Sequence, residues 1–382
     1  LTNSSAFGAL TKSSAFGALT NRSAMGMSTN TLVTQNEFIA LIGMFTTIDM
    51  ILSATGVVSN LINIRTFVAM GADDGVTVSF LFLSLSEFTC CLAALGQKLA
   101  MALWVTEMAT EYKTWFHVNP YAFNSFFGNI RTCLFAIPVF ITTYLAVAKC
   151  MCVVKPLGFK NMFSVTRTVK IMYGICAFSL LAYVPVLATM GIAEQFDKNV
   201  NTTRKVMWFS PYRDLVKNIV WNVRDSFPAI ASEIIIVACV VVMTRSLSEA
   251  VGWREKFRSE TLSDERDTHQ NVINKTLKMS HIPRGNLGGK LKGKPSGKLS
   301  GKELQVIKQV TVICVVYVIG NTPKIIIFLA FALVPDLTPG GRYQNLYEVI
   351  FKSRELSELL LSVVHIFIYY KYNSKFRLFC KC

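Results

Sequence analysis

Charge is scarce in this sequence. Only 16% of its 382 residues are Asp, Glu, Lys or Arg, while 52% are hydrophobic, and a soluble globular domain carries more charge than that to cover its surface. Histidine is scarcer still. The four, His117, His269, His281 and His365, are scattered along the chain, so there is no His-Glu-x-x-His metal site. No Gly-x-Ser-x-Gly nucleophile turn is present either. The chain is therefore not expected to be an enzyme, and no cofactor is implied. A Gly-x-x-x-x-Gly-Lys-Ser/Thr phosphate loop is missing too. The halves show no inverted repeat and no paired broken helices, which a transporter would have. The formal net charge is +16, but its location decides its meaning. Much of it sits between Arg245 and Lys308, so nucleic acid is not an expected partner.

What is abundant is long apolar runs. They cover Phe38–Ile64, Gly75–Leu95, Tyr121–Val154, Val169–Ile192, Phe227–Met243, Val310–Val334 and Leu346–Tyr370. Each reaches or approaches the roughly 17–25 residues that a helix needs to cross a bilayer. Core helices of a soluble protein would show polar faces. In lipid a helix needs none, because it satisfies its own backbone. The expected fold is an all-α membrane protein, a seven-transmembrane helix bundle.

An odd number of spans puts the two ends on opposite sides. The density of Lys and Arg favours an extracellular N-terminus by the positive-inside rule, although the rule weakens in so long a loop as the third inner one. Sequons at Asn3, Asn21 and Asn201 fall on the expected outer segments, where glycosylation is chemically open. The sequon at Asn274 falls on the inner side. Cysteine is absent from every expected outer loop. Cys90, Cys91, Cys133, Cys150, Cys152, Cys176, Cys239 and Cys314 lie in or at the ends of runs, and Cys380 and Cys382 in the tail. No extracellular disulfide framework is readable.

Three regions follow. Residues 1–36 form an expected extracellular tail with a nine-residue repeat, Thr2–Leu10 and Thr11–Leu19, then a degraded copy from Thr20. No basic-plus-apolar leader precedes the first run, and the start at Leu1 leaves a truncated N-terminus open. Residues 37–371 hold the spans, with 245–305 as a basic third inner loop. The Gly/Lys-rich stretch Gly288–Lys302 within it has little to bury. It reads as a solvated linker, a contact for anionic lipid or a partner-docking surface. Residues 372–382 form a short amphipathic eighth helix and cytoplasmic tail.

Polar residues inside spans need a partner or a purpose, and their order carries a resemblance. The first run holds Gly56-Val-Val-Ser-Asn60 and the second Leu83-Ser-Leu-Ser-Glu87. The third ends Tyr144-Leu-Ala-Val-Ala-Lys-Cys-Met-Cys-Val-Val-Lys-Pro-Leu157. The sixth holds Tyr317-Val-Ile-Gly-Asn-Thr-Pro323 and the seventh His365-Ile-Phe-Ile-Tyr369. This series resembles the rhodopsin-like G-protein-coupled receptors over about Phe38–Cys382. Within that family, Tyr369-Tyr370 and the Cys150–Leu157 run look most like the chemosensory and FMRFamide-type receptors of molluscs.

The resemblance implies a plasma-membrane receptor whose partners are the bilayer, an extracellular ligand and a heterotrimeric G protein. It places Asn60 and Glu87 as hydrogen-bond partners across two helices. Ala148 stands at the acid and Lys149 at the arginine of the Asp/Glu-Arg-Tyr motif. Tyr317 and Pro323 stand in the sixth-helix switch. His365 and Tyr369 stand in Asn-Pro-x-x-Tyr, with both Asn and Pro changed. Cys380 and Cys382 fall where receptors are palmitoylated. Asn124 stands where the family's outer disulfide begins, and no Cys lies between Gly191 and Phe227 to complete it. These departures keep a divergent receptor without coupling as an alternative, beside a seven-span ligand-gated channel or transporter.

Helical spacing suggests a pocket. Arg131 precedes Lys149 by five turns, so the two share one face about 27 Å apart. On the seventh run Glu355, Glu358, Ser362, His365 and Tyr369 step by three and four, and on the sixth Tyr317, Asn321 and Lys324 do the same. Arg131, Glu355, Glu358, Asn321 and Lys324 are the candidate contacts for an amino acid, an amine or a short peptide. A structural salt bridge between Arg131 and Glu355 or Glu358 is the competing reading.

Overall fold

The computed structural model describes residues 34–154, 164–197, 200–246, 248–249, 301–334, 336–337 and 341–380. Asn3, Asn21, Cys382, the repeat tail and most of the basic segment after Arg245 lie outside the described residues. Among the described residues the chain is mostly helical. Six helices are long and apolar enough to cross a membrane, each offering 23 to 35 residues. That is at least about 34 Å of helix, against roughly 30 Å of hydrocarbon.

The helices are α1 (Gln35–Met70), α2 (Gly75–Ala109), α3 (Pro120–Val154), α4 (Val165–Leu181), α5 (Arg213–Ser246), α6 (Gly301–Leu333), α7 (Gln344–Tyr372) and α8 (Ser374–Phe379). Their starts are set by local chemistry. Thr34 and Glu37 form a reciprocal capping box at α1. The Thr34 hydroxyl also holds the Glu37 carboxyl below its ordinary pKa. Asp74 accepts the amides of Val76 and Thr77 at 2.9 Å ahead of α2, and Asn119 accepts that of Tyr121 at 2.9 Å where Pro120 opens α3. Gly71, at φ 80°, ends α1 in a conformation that only glycine adopts without strain. Trp221–Ser226 is a π-helical stretch within α5.

The surface is apolar and much of the interior polar. Val68, Leu181, Phe227, Ile319 and Phe367 are more than 60% exposed, while Asp49, Asn60, Asn63, Lys98 and Glu107 are almost wholly buried. Water would favour the reverse arrangement; a bilayer requires this one. The chain is a multi-pass membrane helical bundle. In it α2 packs between α1 and α3, and α7 packs against α1 and α6.

Two features depart from the expectation of a wholly helical, seven-span chain. First, Met190–Asp197 (β1) and Thr202–Phe209 (β2) form an antiparallel hairpin, with Met190 opposite Phe209 and Asp197 opposite Thr202. The chain is therefore a mostly helical bundle that carries one two-stranded hairpin among the described residues. β2 is rich in β-branched and aromatic residues (Thr202, Thr203, Val206, Trp208 and Phe209) while β1 has only Ile192 and Phe196, and Asn201 in the turn takes φ 51°, which asparagine tolerates. Second, α7 has the length of a span but is not among the six apolar helices. Its first half carries Glu348, Lys352, Arg354, Glu355 and Glu358, too many charges to face lipid.

α8 tucks beneath α1 and α7. Phe376 is fully buried, its ring 5.2 Å from that of Phe67 and 5.7 Å from that of Tyr369. Lys375, Arg377 and Leu378 of the same helix are exposed.

Candidate functional site

The charges of α7 turn inward. Glu355 is the hub: Oε1 meets Arg131 of α3 at 2.9 Å, and Oε2 meets Lys98 of α2 and Lys352 of α7, each at 2.9 Å. Lys98 continues to Asp49 of α1 at 2.6 Å. Arg131 also meets Glu358 at 2.9 Å, and Arg354 lies 3.5 Å from the other oxygen of Glu358. Four helices are thus cross-linked by one buried ionic cluster. It holds three carboxylates and four cations. Buried ion pairs of this kind give orientation more dependably than stability, because desolvation offsets much of their attraction.

Helical periodicity explains the alignment. Glu355, Glu358, Ser362, His365 and Tyr369 lie along one stripe of α7, and all five have side chains in the interior. Below the ionic cluster on that stripe, Ser362 accepts from Asn60 of α1 at 2.9 Å and lies 3.3 Å from Cys91 Sγ. One turn on, His365 Nδ1 meets Glu87 Oε1 at 2.7 Å, out of alignment for a hydrogen bond, and Glu87 Oε2 is left without a hydrogen-bond partner. The expected Asn60–Glu87 hydrogen bond is not made. Asn60 donates instead to its own Gly56 carbonyl and to Ser362, and the larger His365 side chain takes the carboxylate. Tyr369 closes the stripe among Phe67, Phe80 and Phe376, with ring separations of 5.0 to 5.7 Å.

A cleft opens between these two polar layers. Its space between atoms, open solvent at the mouth included, is about 570 Å³. Arg131, Glu358, Tyr317, Asn321, Glu87 and His365 supply its polar wall, and Phe135, Val139, Leu359 and Leu361 part of its apolar wall. Glu355 does not line it. Neither does Lys324, which faces a neighbouring gap with Arg224 and Asp225 and lies 4.5 Å from the ring centre of Phe135. Asn321 donates back to the Tyr317 carbonyl at 3.1 Å. α6 continues through Pro323 without ending.

At the far end of α3, Ala148 and Lys149 are both buried, on the side that faces the other helices. Arg131 and Lys149 thus do share the interior side of α3.

Two clusters carried no motif. Asp49 is a single charge inside the apolar run Phe38–Ile64, and Lys98 lies just past the run Gly75–Leu95; the isolation of Asp49 is itself a signal, since an ion at that depth needs a partner. The second cluster holds the hairpin. Arg204 of β2 meets Glu107 of α2 at 2.9 Å and Asp197 of β1 at 2.5 Å. Beside it, Lys205 donates its amide to the His117 carbonyl at 3.1 Å and accepts that of Asn119 at 2.9 Å. None of the nine described cysteines forms a disulfide, and these bonds join the hairpin to the start of α3. No protein-family model matches the chain, and no curated protein matches it.

Proposed function

We propose that the chain is a seven-span receptor of the rhodopsin-like kind, with α7 as the seventh span, the hairpin outside the cell and α8 on the cytoplasmic side. One observation carries the reading. The helix too charged to face lipid buries its carboxylates against Arg131 and Lys98, and the cleft lies directly below that cluster. A helix so placed is a span of the bundle whose polar stripe serves the interior, and polar groups at membrane depth mark functional paths.

On this reading, an amino acid, amine or short peptide enters from the hairpin side at the plasma membrane and exchanges contacts with Arg131, Glu358 and Asn321. The ligand shifts the population between two arrangements of α3, α6 and α7, with Pro323 as the weak point of α6. A heterotrimeric G protein then docks beside Lys149. Glu87, His365, Tyr317 and Tyr369 connect the two ends through the interior. Asn201, exposed in the hairpin turn, is a site for glycosylation, and Cys380, at the end of α8, one for palmitoylation.

The test is expression of the full chain in a cell line with a G-protein activation reporter, screened against amino acids, amines and short amidated peptides. A ligand-dependent G-protein signal that Arg131→Ala abolishes at unchanged surface expression is the expected result. Ligand-gated current in cells lacking G proteins would establish a channel instead. Ligand binding with no activation would establish a receptor fold that has lost coupling.

A further inference from the structure

The two polar layers bordering the cleft each bring an ionisable group of opposite sign to its wall, Arg131 from the upper and Glu87 from the lower. In the upper layer Lys98, Arg131, Lys352 and Arg354 meet Asp49, Glu355 and Glu358, with Glu348 one turn from Lys352 on the same helix. In the lower layer Glu87 Oε1 meets the His365 imidazole, with no cationic Lys or Arg paired to it among the described residues, and its Oε2 is without a hydrogen-bond partner although the residue is 95% buried. Uncompensated charges in a low-dielectric interior are costly, and each attracts a counter-charge. Arg131 and Glu87 both line the same cleft.

The distance between the layers follows from α7. Glu358, which meets Arg131, and His365, which meets Glu87, are seven residues apart on one helix, hence separated by about 10 Å along its axis. Two charge-assisted hydrogen bonds of about 2.8 Å each leave roughly 5 Å between the charged ends of a molecule bridging them, which is about three or four methylene groups. Phe135, Val139 and Leu359 provide apolar wall for such a chain.

We propose that this cleft binds an ω-amino acid, its carboxylate on Arg131 and its ammonium on Glu87 beside His365. The assignment rests on the reading of the cleft as the ligand site and narrows its ligand class. The ligand carboxylate takes the guanidinium in exchange for Glu358, which keeps Arg354. An α-amino acid carries its two charges on one carbon and reaches one layer only. A monoamine or a monocarboxylate likewise satisfies one layer.

The full chain, purified in lipid nanodiscs, tests this by direct binding of 4-aminobutanoate and 5-aminopentanoate beside glycine, butanoate and butylamine. At least one ω-amino acid should bind about tenfold or more tightly than every single-ended probe. Glu87→Gln should remove that advantage while leaving butanoate binding unchanged, and Arg131→Gln should weaken both; the thermal unfolding of each variant without ligand reports whether it folds. Absence of ω-amino acid binding, or equal binding of all five probes, overturns the proposal. So does a well-folded Glu87→Gln that keeps the advantage, which decides the matter even where Arg131→Gln does not fold. Binding with no G-protein activation upholds the site and removes the receptor reading. G-protein activation by another ligand, with no ω-amino acid binding, does the opposite.

Discussion

Arg204 of the hairpin and Glu107 of α2 meet at 2.9 Å with side chains 3% and 0% exposed, tying the hairpin to the bundle without a covalent bond. Glu107 also accepts the Phe116 amide at 3.0 Å, so one carboxylate fixes both the hairpin and the turn before α3. Arg204→Met should leave Glu107 buried and unpaired, a loss of about 3–5 kcal/mol. Hydrogen exchange at 190–209 should rise sharply in that variant. Arg204→Met with Glu107→Gln should recover part of the loss, and reductant should leave exchange in the native chain unchanged.

Glu355 and Glu358 are equally buried but not equally committed. Glu355 serves Arg131, Lys98 and Lys352, whereas Glu358 serves Arg131 and, at longer range, Arg354. Glu355→Gln should therefore lower the thermal midpoint more than Glu358→Gln does. Breaking a buried pair costs about 3–5 kcal/mol, and only the first substitution strands cations from three helices. Equal shifts in the two variants would remove Glu355 as the hub.

The helices were legible because runs such as Tyr121–Val154 have a composition that only a bilayer explains. The inward stripe of α7 was legible from its three-and-four spacing. The full cluster was not. Asp49 and Lys98 have no neighbour in sequence that announces a partner, and their pairing with Glu355 depends on how α1, α2 and α7 are set side by side. The hairpin escaped for a different reason. Met190–Asp197 begins in an apolar run that reads as helix, and strand pairing across a turn is decided by a partner segment rather than by local propensity. The Asn60–Glu87 expectation failed because His365, far from both residues in sequence, stands at the carboxylate, while Asn60 bonds to Gly56 and Ser362.

Close helix approach supplies another check. A Cβ placed on Gly320 of α6 would sit 2.5 Å from the Cγ and both Cδ atoms of Leu361 on α7. Overpacking of this kind costs about 1–3 kcal/mol. Gly320→Ala should lower the thermal midpoint, and adding Leu361→Ala should reverse part of the drop. Additive losses in the pair would show that the two helices do not approach so closely.

Asn201 tests the sidedness of the bundle. It is exposed, at the tip of the hairpin, and begins Asn201-Thr-Thr. If the hairpin is extracellular, the chain expressed in animal cells should gain electrophoretic mobility on treatment with an amide-cleaving glycosidase, and Asn201→Gln should reduce that gain. The Asn274 sequon, expected on the inner side and outside the described residues, should then contribute nothing. A mobility that neither the enzyme nor any sequon substitution alters would remove the support for this orientation.

The far end of α3 bears on coupling. Ala148 is buried beside Lys149, so a carboxylate there would stand next to a cation and, if the chain couples to a G protein as proposed, compete with the opening that coupling requires. A new pairing that favours the closed arrangement by about 1 kcal/mol changes its population roughly fivefold. Ala148→Glu should accordingly lower basal second-messenger output, while Ala148→Leu, which adds bulk without charge, should not. Pairing Ala148→Glu with Lys149→Arg should deepen the effect, because the guanidinium offers two parallel bonds where the ammonium offers one. Output is to be read per chain at the cell surface, since a buried carboxylate also burdens folding. Identical basal output from the Glu and Leu variants would mean that the charge of Lys149 does not govern the switch.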